Sequence, residues 1–218
     1  MIDIKRRTFT RAADIVEKFV IPPAKLLEIG AYTGLFLKIC EERGFTVQGI
    51  EPSKWGAQFA INQGLDVRSG TAEVLLNDSD LGTFNGIVSW DVLEHVPDPA
   101  KVFRLAASHL APGGYLILST LDRSNWFARL MGKRWPWLIP MHLHYFDQAA
   151  VISMAESCGL VFLATKPHVH YTSAGYAWQR LIGHDAQMTA RTKPSLLDKL
   201  TFPVGFGDVR LYVFQNVA

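Results

Sequence analysis

Short β-rich runs alternate with helical patterns along most of this 218-residue chain, and this alternation limits its fold more than any other feature. Such alternation predicts a largely parallel sheet with helices on both faces. The final run, residues 208–214, alternates polar and apolar side chains instead, which favours an antiparallel strand at a sheet edge. We therefore predict an α/β fold whose doubly wound sheet has seven strands, six parallel and the last antiparallel.

The individual elements follow from periodicity and from helix stop signals. Ser53, Asp98 and Asp147 are suitable N-caps for three of the helices. The predicted strands cover residues 25–29, 46–50, 65–68, 84–90, 115–120, 160–165 and 208–214. The predicted helices cover residues 8–20, 34–43, 53–64, 98–110 and 147–159, and a short helix is expected around residues 195–200.

Composition excludes several classes of protein. With 49% hydrophobic residues, the chain can bury one sizeable core, and its net charge of +2 gives no strong nucleic-acid signal. Cys40 and Cys158 lie far apart, which indicates neither a disulfide framework nor a zinc motif. The first residues lack the apolar run of a signal peptide, and no apolar stretch reaches the ~20 residues of a membrane span. We expect a cytoplasmic protein.

A glycine-containing turn follows the first predicted strand. Gly30 and Gly34 allow a tight strand-to-helix turn and the close approach of a ligand. Glu51 ends the second strand, where a carboxylate can accept both hydroxyl protons of a ribose. Since open α/β sheets bind ligands at the carboxyl ends of their strands, these residues and Asp91 are expected to converge on one crevice.

Five segments together carry a family resemblance. They are Glu28–Gly34, Gly49–Ser53, Trp90–Val96, Leu110–Tyr115 and His142–Phe146. Their order and spacing resemble those of class I S-adenosylmethionine-dependent methyltransferases, and most of all the small-molecule O-methyltransferase branch that includes ubiquinone-biosynthesis enzymes. The resemblance covers roughly residues 24–166 and implies a Rossmann-like fold.

The resemblance also implies a site for S-adenosylmethionine. The residues implied to bind the cofactor are Glu28, Gly30, Tyr32, Gly34, Glu51, Thr71, Ala72 and Asp91. Glu51 would hold the ribose hydroxyls, and Asp91 would lie near the methionine amine. Thr71, expected beside the adenine, stands where the family often carries an acid.

Tyr32 is the larger departure, because the family usually has a glycine there. Its ring could be turned aside so that binding is intact, or it could fill the pocket and make the protein a degenerate relative. A dehydrogenase is disfavoured, because the third glycine of the nicotinamide fingerprint is missing and Phe36 and Leu37 stand at that register.

Methyl transfer to a hydroxyl requires a proton acceptor or a metal ion. His95, His142 and His144 are the candidate bases. Asp91, Glu94 and His95 would share one face of a helical turn and could hold Mg²⁺ or Zn²⁺. In the other interpretation, Glu94 and His95 only orient the loop.

The segment Trp126–Pro140 mixes aromatic and basic residues. It could cap the sheet, form a lid over an apolar acceptor, or contact a membrane surface through Trp126–Trp137. We expect one domain over residues 1–218, with an N-terminal helix (1–23), a cofactor-binding half (24–120), a lid (121–146), and a C-terminal half (147–218) that contains a long loop (167–207).

Three functions therefore stay open. The first is methyl transfer to a small or lipid-linked acceptor, expected at oxygen. The second is a cofactor-binding scaffold that has lost turnover through Tyr32. The third is methylation of a protein or an RNA, with the Trp126–Trp137 segment as the docking surface.

Overall fold

The computed structural model describes residues 2–75, 79–174 and 200–217. The strands are β1 (Lys25–Ile29), β2 (Thr46–Glu51), β3 (Val67–Ser69), β4 (Phe84–Trp90), β5 (Leu110–Leu121), β6 (Leu160–Pro167), β7 (His170–Ser173), β8 (Thr201–Val204) and β9 (Val209–Asn216). Seven of them form one sheet in the order β3-β2-β1-β4-β5-β9-β6. Because β9 is antiparallel to both of its neighbours, the other six strands run parallel, and the predicted fold class is confirmed.

The helices lie between the strands, as predicted. They are α1 (Ile2–Val16), α2 (Leu35–Glu42), α3 (Lys54–Asn62), α4 (Ala72–Leu75), α5 (Pro99–His109), α6 (Trp126–Met131) and α7 (Gln148–Glu156). The three predicted N-caps are confirmed, since the side chains of Ser53, Asp98 and Asp147 each accept a backbone N–H from the first turn of their helix.

Alternate residues of the strands face two helical layers. Leu26 of β1 packs in a cluster with residues of α1 and α2, whereas its neighbour Leu27 packs in a second cluster with residues of α5 and α7. α3 adds a smaller cluster built on Ala57 and Ala60. The sheet is therefore covered on both faces, which leaves the carboxyl ends of its parallel strands to form a site.

The last strand differs from the prediction in its position. β9 is antiparallel, but it lies between β5 and β6, so β6 is the edge strand. The apolar run from Leu211 to Phe214 explains this position, because Leu211 and Val213 enter one core cluster while Tyr212 and Phe214 enter the other. A strand buried on both faces belongs inside a sheet.

The predicted loop 167–207 also contains regular structure. β7 and β8 pair as an antiparallel ribbon, and the backbone N–H of Tyr171 donates to the Thr8 hydroxyl of α1 at 3.0 Å. Residues 195–199 of the predicted short helix lie outside the described residues. α1 begins and ends earlier than predicted. It ends at Val16 because the backbone after this residue turns through i to i+3 hydrogen bonds. Across the described ranges, no helix has both the length and the apolar character of a membrane span.

Candidate active site

The first turn of the site joins the ends of β1 and β2. The backbone N–H groups of Gly30 and Ala31 donate to the carbonyl of Ile50 at 2.8 and 3.0 Å. Gly30 (φ +82°) and Gly34 (φ +76°) have left-handed backbones, and a Cβ at either would lie 2.4 Å from Val92 or 2.3 Å from Leu65. Both glycines are thus required by the packing of the protein itself, whatever ligand they face.

Tyr32 lies in the same turn with φ +47°. Its backbone N–H donates to Oε2 of Glu51 at 2.7 Å. The half-exposed ring packs against Trp55 of α3, with 5.9 Å between centroids, and Nζ of Lys5 lies 5.5 Å above it. A Cβ on Gly56 would come within 3.3 Å of the ring, so the glycine gives the tyrosine its place beside α3.

The two predicted acidic residues of the crevice are buried. Oε1 of Glu51 accepts the backbone N–H of Ser53 at 2.7 Å, so the Tyr32 and Ser53 amides together orient this carboxylate. Oε2 of Glu28 is buried without a hydrogen-bond partner. Burial and the nearby charge of Glu51 raise the pKa of Glu28 well above its usual range, although a hydrogen bond from the Leu37 backbone opposes them. An unpartnered acceptor beside an oriented carboxylate fits a ligand that carries hydroxyl and ammonium groups.

The turn after β3 contains Thr71 and Ala72, which were expected to bind the cofactor. Ala72 is buried in the core cluster on the α5 side of the sheet, so its methyl group packs with the protein interior. Thr71 is exposed, and its carbonyl accepts the N–H of Val74 at 3.2 Å. One carboxylate oxygen of Glu73 is buried without a partner, which puts an acid two residues after the position where the family often has one.

Asp91 ends β4 in a left-handed conformation, with φ +54°. The Ser119 hydroxyl donates to its Oδ1 at 2.6 Å, and Nε2 of His170 lies 3.7 Å from its Oδ2. Burial by itself raises the pKa of Asp91, but His170, His168 and the Ser119 hydrogen bond outweigh it and lower the pKa below its usual value. The surroundings of Asp91 therefore favour its charged form.

Glu94, His95 and His142 form a cluster that could hold a metal ion, since their potential ligand atoms lie within 4.8 Å of one another. This cluster differs from the predicted set of Asp91, Glu94 and His95 in that it contains His142 and not Asp91. The physical reason is the left-handed backbone of Asp91, which keeps it out of the short helical turn Leu93–His95 and directs its carboxylate to Ser119.

The hydrogen bonds of the cluster leave its ligand atoms available. Nδ1 of His95 bonds the Met141 carbonyl at 3.0 Å, and Nδ1 of His142 bonds the Trp137 carbonyl at 2.7 Å. Since a carbonyl only accepts, each neutral ring carries its proton on Nδ1 and has a free lone pair on Nε2. Metal-binding histidines in proteins are held in this way. Two imidazoles and one carboxylate suit Zn²⁺ better than Mg²⁺.

Glu94 is the most buried member of the cluster. Its Oε2 accepts the Thr120 hydroxyl at 2.8 Å, and its backbone carbonyl accepts the N–H groups of Leu143 and His144 at 2.8 and 3.2 Å. Burial, followed by the charge of Asp91, raises the pKa of Glu94 to about 8. A bound cation would stabilise its charged form.

His144 is not a member of this cluster. Its ring stacks on Phe146 at 5.7 Å, and its Nε2 is buried without a partner. His144 is therefore not among the three residues that could bind one metal ion. Burial and the neighbouring His95 lower the pKa of His142, against the hydrogen bond to the Trp137 carbonyl, which raises it.

Two histidines that the sequence did not single out also face this site. His168 is buried and stacks on Trp90, with ring planes 13° apart, and burial lowers its pKa to about 4. His170 lies edge-on to His168 and beside Asp91. They follow the carboxyl end of β6, and the rule that ligands bind at strand ends could have identified them.

The aromatic and basic segment divides into a buried part and an exposed part. Trp135 is buried, and its indole donates to Asp208, as does that of Trp137. Trp126 and Leu130 of α6 are 62% and 74% exposed. The sheet-capping interpretation therefore describes Trp135, whereas Trp126 and Leu130 form an apolar surface beside basic residues.

With this geometry in view, comparison with known proteins assigns the family. A family model described as a methyltransferase domain matches residues 4–165. The chain belongs to this family. Solved structures similar to this methyltransferase domain include the N-methyltransferase NodS of Bradyrhizobium japonicum (15% identity, 99% of this chain and 98% of that chain, TM-score 0.62). Another is a SAM-dependent methyltransferase of Archaeoglobus fulgidus (15% identity, 96% and 94%, TM-score 0.65). At such identities they show the fold alone.

Several curated relatives of this methyltransferase domain share the name ubiquinone biosynthesis O-methyltransferase. That of a Caulobacter species is 40% identical over 106 residues, which are 46% of this chain and 42% of the relative. That of Alkalilimnicola ehrlichii is 35% identical over 133 residues, 57% of this chain and 53% of the relative. The chain thus spans about half the length of these relatives.

Proposed function

We propose that this protein transfers the methyl group of S-adenosylmethionine to an oxygen atom of a small, apolar acceptor. The observation that carries the proposal is the Glu51 carboxylate, which two backbone amides orient at the end of β2 beside the unpartnered Glu28. In a methyltransferase domain, this pair fits the ribose hydroxyls and the methionine ammonium of the cofactor. Asp91 is ionised and adds a second anion for the ammonium group.

The reaction is a displacement at carbon. The acceptor oxygen forms a bond to the methyl carbon, the bond from that carbon to the sulfonium breaks, and S-adenosylhomocysteine leaves. The hydroxyl proton must go to a base, and Nε2 of His95 and of His142 each present a lone pair for it. The protein otherwise acts by holding the acceptor in line and by excluding water.

In the alternative to a histidine base, Glu94, His95 and His142 would hold a divalent cation of the Zn²⁺ class, and the Nε2 lone pairs would then bind it. Such a cation would supply Lewis-acid chemistry that favours loss of the acceptor proton at neutral pH. His144 stays a candidate base that lies outside this cluster, with its Nε2 buried and without a partner.

Methylation at oxygen is supported by the relatives, whose shared name is that of an O-methyltransferase. An apolar or lipid-linked acceptor is supported by exposed apolar side chains next to the cluster. Met141 and Leu143 flank His142 and are 63% and 56% exposed. An acceptor with an apolar tail could bury them while its hydroxyl reaches the histidines.

A calorimetric titration with S-adenosylmethionine and S-adenosylhomocysteine tests the cofactor first. Micromolar or tighter binding supports the proposal. Absence of binding at millimolar ligand by the folded protein would contradict it and favour the degenerate scaffold. Incubation with radiolabelled donor and a panel of phenolic acceptors, against total RNA and protein, then separates a small acceptor from a macromolecular one.

We also propose that the protein contacts a membrane surface, from which it would take up such an acceptor. Trp126 and Leu130 are exposed on α6 near Arg129, Lys133 and Arg134, a combination suited to the surface of an anionic bilayer.

A flotation assay tests this contact. Vesicles that contain phosphatidylglycerol should retain the protein, and Trp126→Ser with Leu130→Ser should release it. Val161→Ser with Leu163→Ser is the matched control, because these β6 residues are also exposed and apolar. Equal release by both pairs would contradict a specific surface.

A further inference from the structure

Asp208 is a buried carboxylate at the start of β9 with an unusual set of donors. Its Oδ2 accepts the indole N–H groups of Trp135 at 2.9 Å and of Trp137 at 3.0 Å. Its backbone carbonyl accepts the N–H of Asp122 at 2.8 Å. The side chain of Asp208 thus fastens the segment after α6, while its main chain bonds the residue that follows β5.

Trp137 connects this anchor to the histidine cluster. The carbonyl of Trp137 accepts Nδ1–H of His142 at 2.7 Å, and the Tyr145 hydroxyl lies 3.3 Å from the same carbonyl. The ring of His142 is in edge contact with that of His95, with 4.7 Å between centroids. The direction in which Nε2 of His142 points is therefore set by where Trp137 lies.

We propose that Asp208 is a positioning residue that orients His142 by fixing Trp137. This inference rests on the proposed role of Glu94, His95 and His142 in binding a cation. The carboxylate reaches no ligand atom itself, but it holds the carbonyl that keeps the proton on Nδ1 of His142. Outer groups of this kind typically change metal affinity by about 10- to 100-fold.

The test compares variants of the full chain in Zn²⁺ titrations without donor or acceptor. Asp208→Leu removes the one acceptor that both indoles share and should weaken Zn²⁺ binding about 10- to 100-fold. Asp208→Asn keeps an oxygen that can accept them and should retain most of the affinity. Trp126→Ala, in the same segment but exposed, should bind Zn²⁺ like the wild type.

A second readout separates this inference from the metal site. Nitrogen-15 spectra of the metal-free protein report which nitrogen of His142 is protonated, with the signal assigned by its loss in His142→Gln. Asp208→Leu should convert the single Nδ1–H form into a mixture, and Trp126→Ala should not. If the wild type does not bind Zn²⁺ but this change occurs, the metal proposal fails and the positioning role stands.

An unchanged His142 signal in folded Asp208→Leu would overturn the inference. Should that variant not fold, Trp137→Phe provides the same test, since it keeps an aromatic ring and removes one of the two indole donors. It should alter the His142 signal, and an unaltered signal would again contradict the positioning role.

Discussion

The turn after β1 and the loop around His142 meet at the same edge of the sheet, but they are held there by different means. The turn is held locally, by the left-handed backbones of Gly30 and Gly34 and by amides that bond Glu51 nearby in the chain. The loop is held by distant partners, since Trp137 bonds Asp208, 71 residues away. The turn therefore depends mainly on backbone geometry, whereas the loop depends on side-chain bonds to residues far away in the sequence.

In the turn after β1, the largest loss of stability is expected from a substitution at Gly30. Gly30→Ala places a Cβ 2.4 Å from Val92 on a left-handed backbone, so we expect it to lower the free energy of unfolding by about 3 kcal/mol. Gly64→Ala, with φ +83° and open space around it, should lose only about 1 kcal/mol. Urea denaturation measures both, and equal losses would mean that packing at Val92 is not limiting.

The next effect is on cofactor affinity. Glu51→Ala should weaken S-adenosylmethionine binding more than tenfold, a loss of about 1.4 kcal/mol or more, because the oriented carboxylate is lost. Glu41→Ala on the surface of α2 should leave binding unchanged, since its carboxylate pairs only with the exposed Lys38. Isothermal calorimetry decides, and unchanged affinity in Glu51→Ala would remove its role at the ribose.

The stability of the protein should depend on pH through Glu94, which lies beside His142. Burial and Asp91 raise the pKa of Glu94 to about 8, so its protonated form is favoured in the folded state. Below the unfolded pKa of about 4.5, the contribution of Glu94 to the free energy of unfolding is fully present. It is lost as the pH rises towards 8, by at most about 1.4 kcal/mol per pH unit.

In the metal-free protein, the free energy of unfolding should therefore fall over this range relative to Glu94→Gln. Added Zn²⁺ should flatten the difference, because the cation favours the charged carboxylate. Chemical denaturation at several pH values tests this expectation, and parallel pH profiles of the two proteins would disagree with a raised pKa.

The smallest expected effect is at Tyr32. Because its ring packs beside Trp55 and under Lys5, Tyr32→Gly should change S-adenosylmethionine affinity by less than about fivefold, or about 1 kcal/mol. Titration of the variant measures this, with Trp55→Ala as a control for the aromatic contact. A gain of more than tenfold would show that the native ring obstructs the crevice.

The features that could be predicted from the sequence follow the same division between local and long-range contacts. Ser53 and Asp98 mark their helices because a cap bonds a backbone three residues away. Local sequence signals could not predict that His142, and not Asp91, lies beside Glu94 and His95. This arrangement depends on the Ser119 hydroxyl, 28 residues from Asp91, and on a carbonyl that a distant carboxylate holds. Periodicity carries no information on such partners.

The position of the last strand shows a related limit. Alternation at Asp208 and Arg210 indicated an edge, but the next four residues are apolar and buried. The apolar run was the better guide to burial on both faces. The β7–β8 ribbon was not predicted, because neither strand exceeds four residues.

The place of β9 inside the sheet has a consequence for synthesis on the ribosome. β6 is made before β9, yet it joins the sheet only through β9. While residues 209–216 are still within the exit tunnel, the edge of β5 is unpaired and β6 has no partner in the sheet. A nascent chain halted before that point would therefore expose an apolar strand edge, the surface that chaperones bind and that aggregation requires.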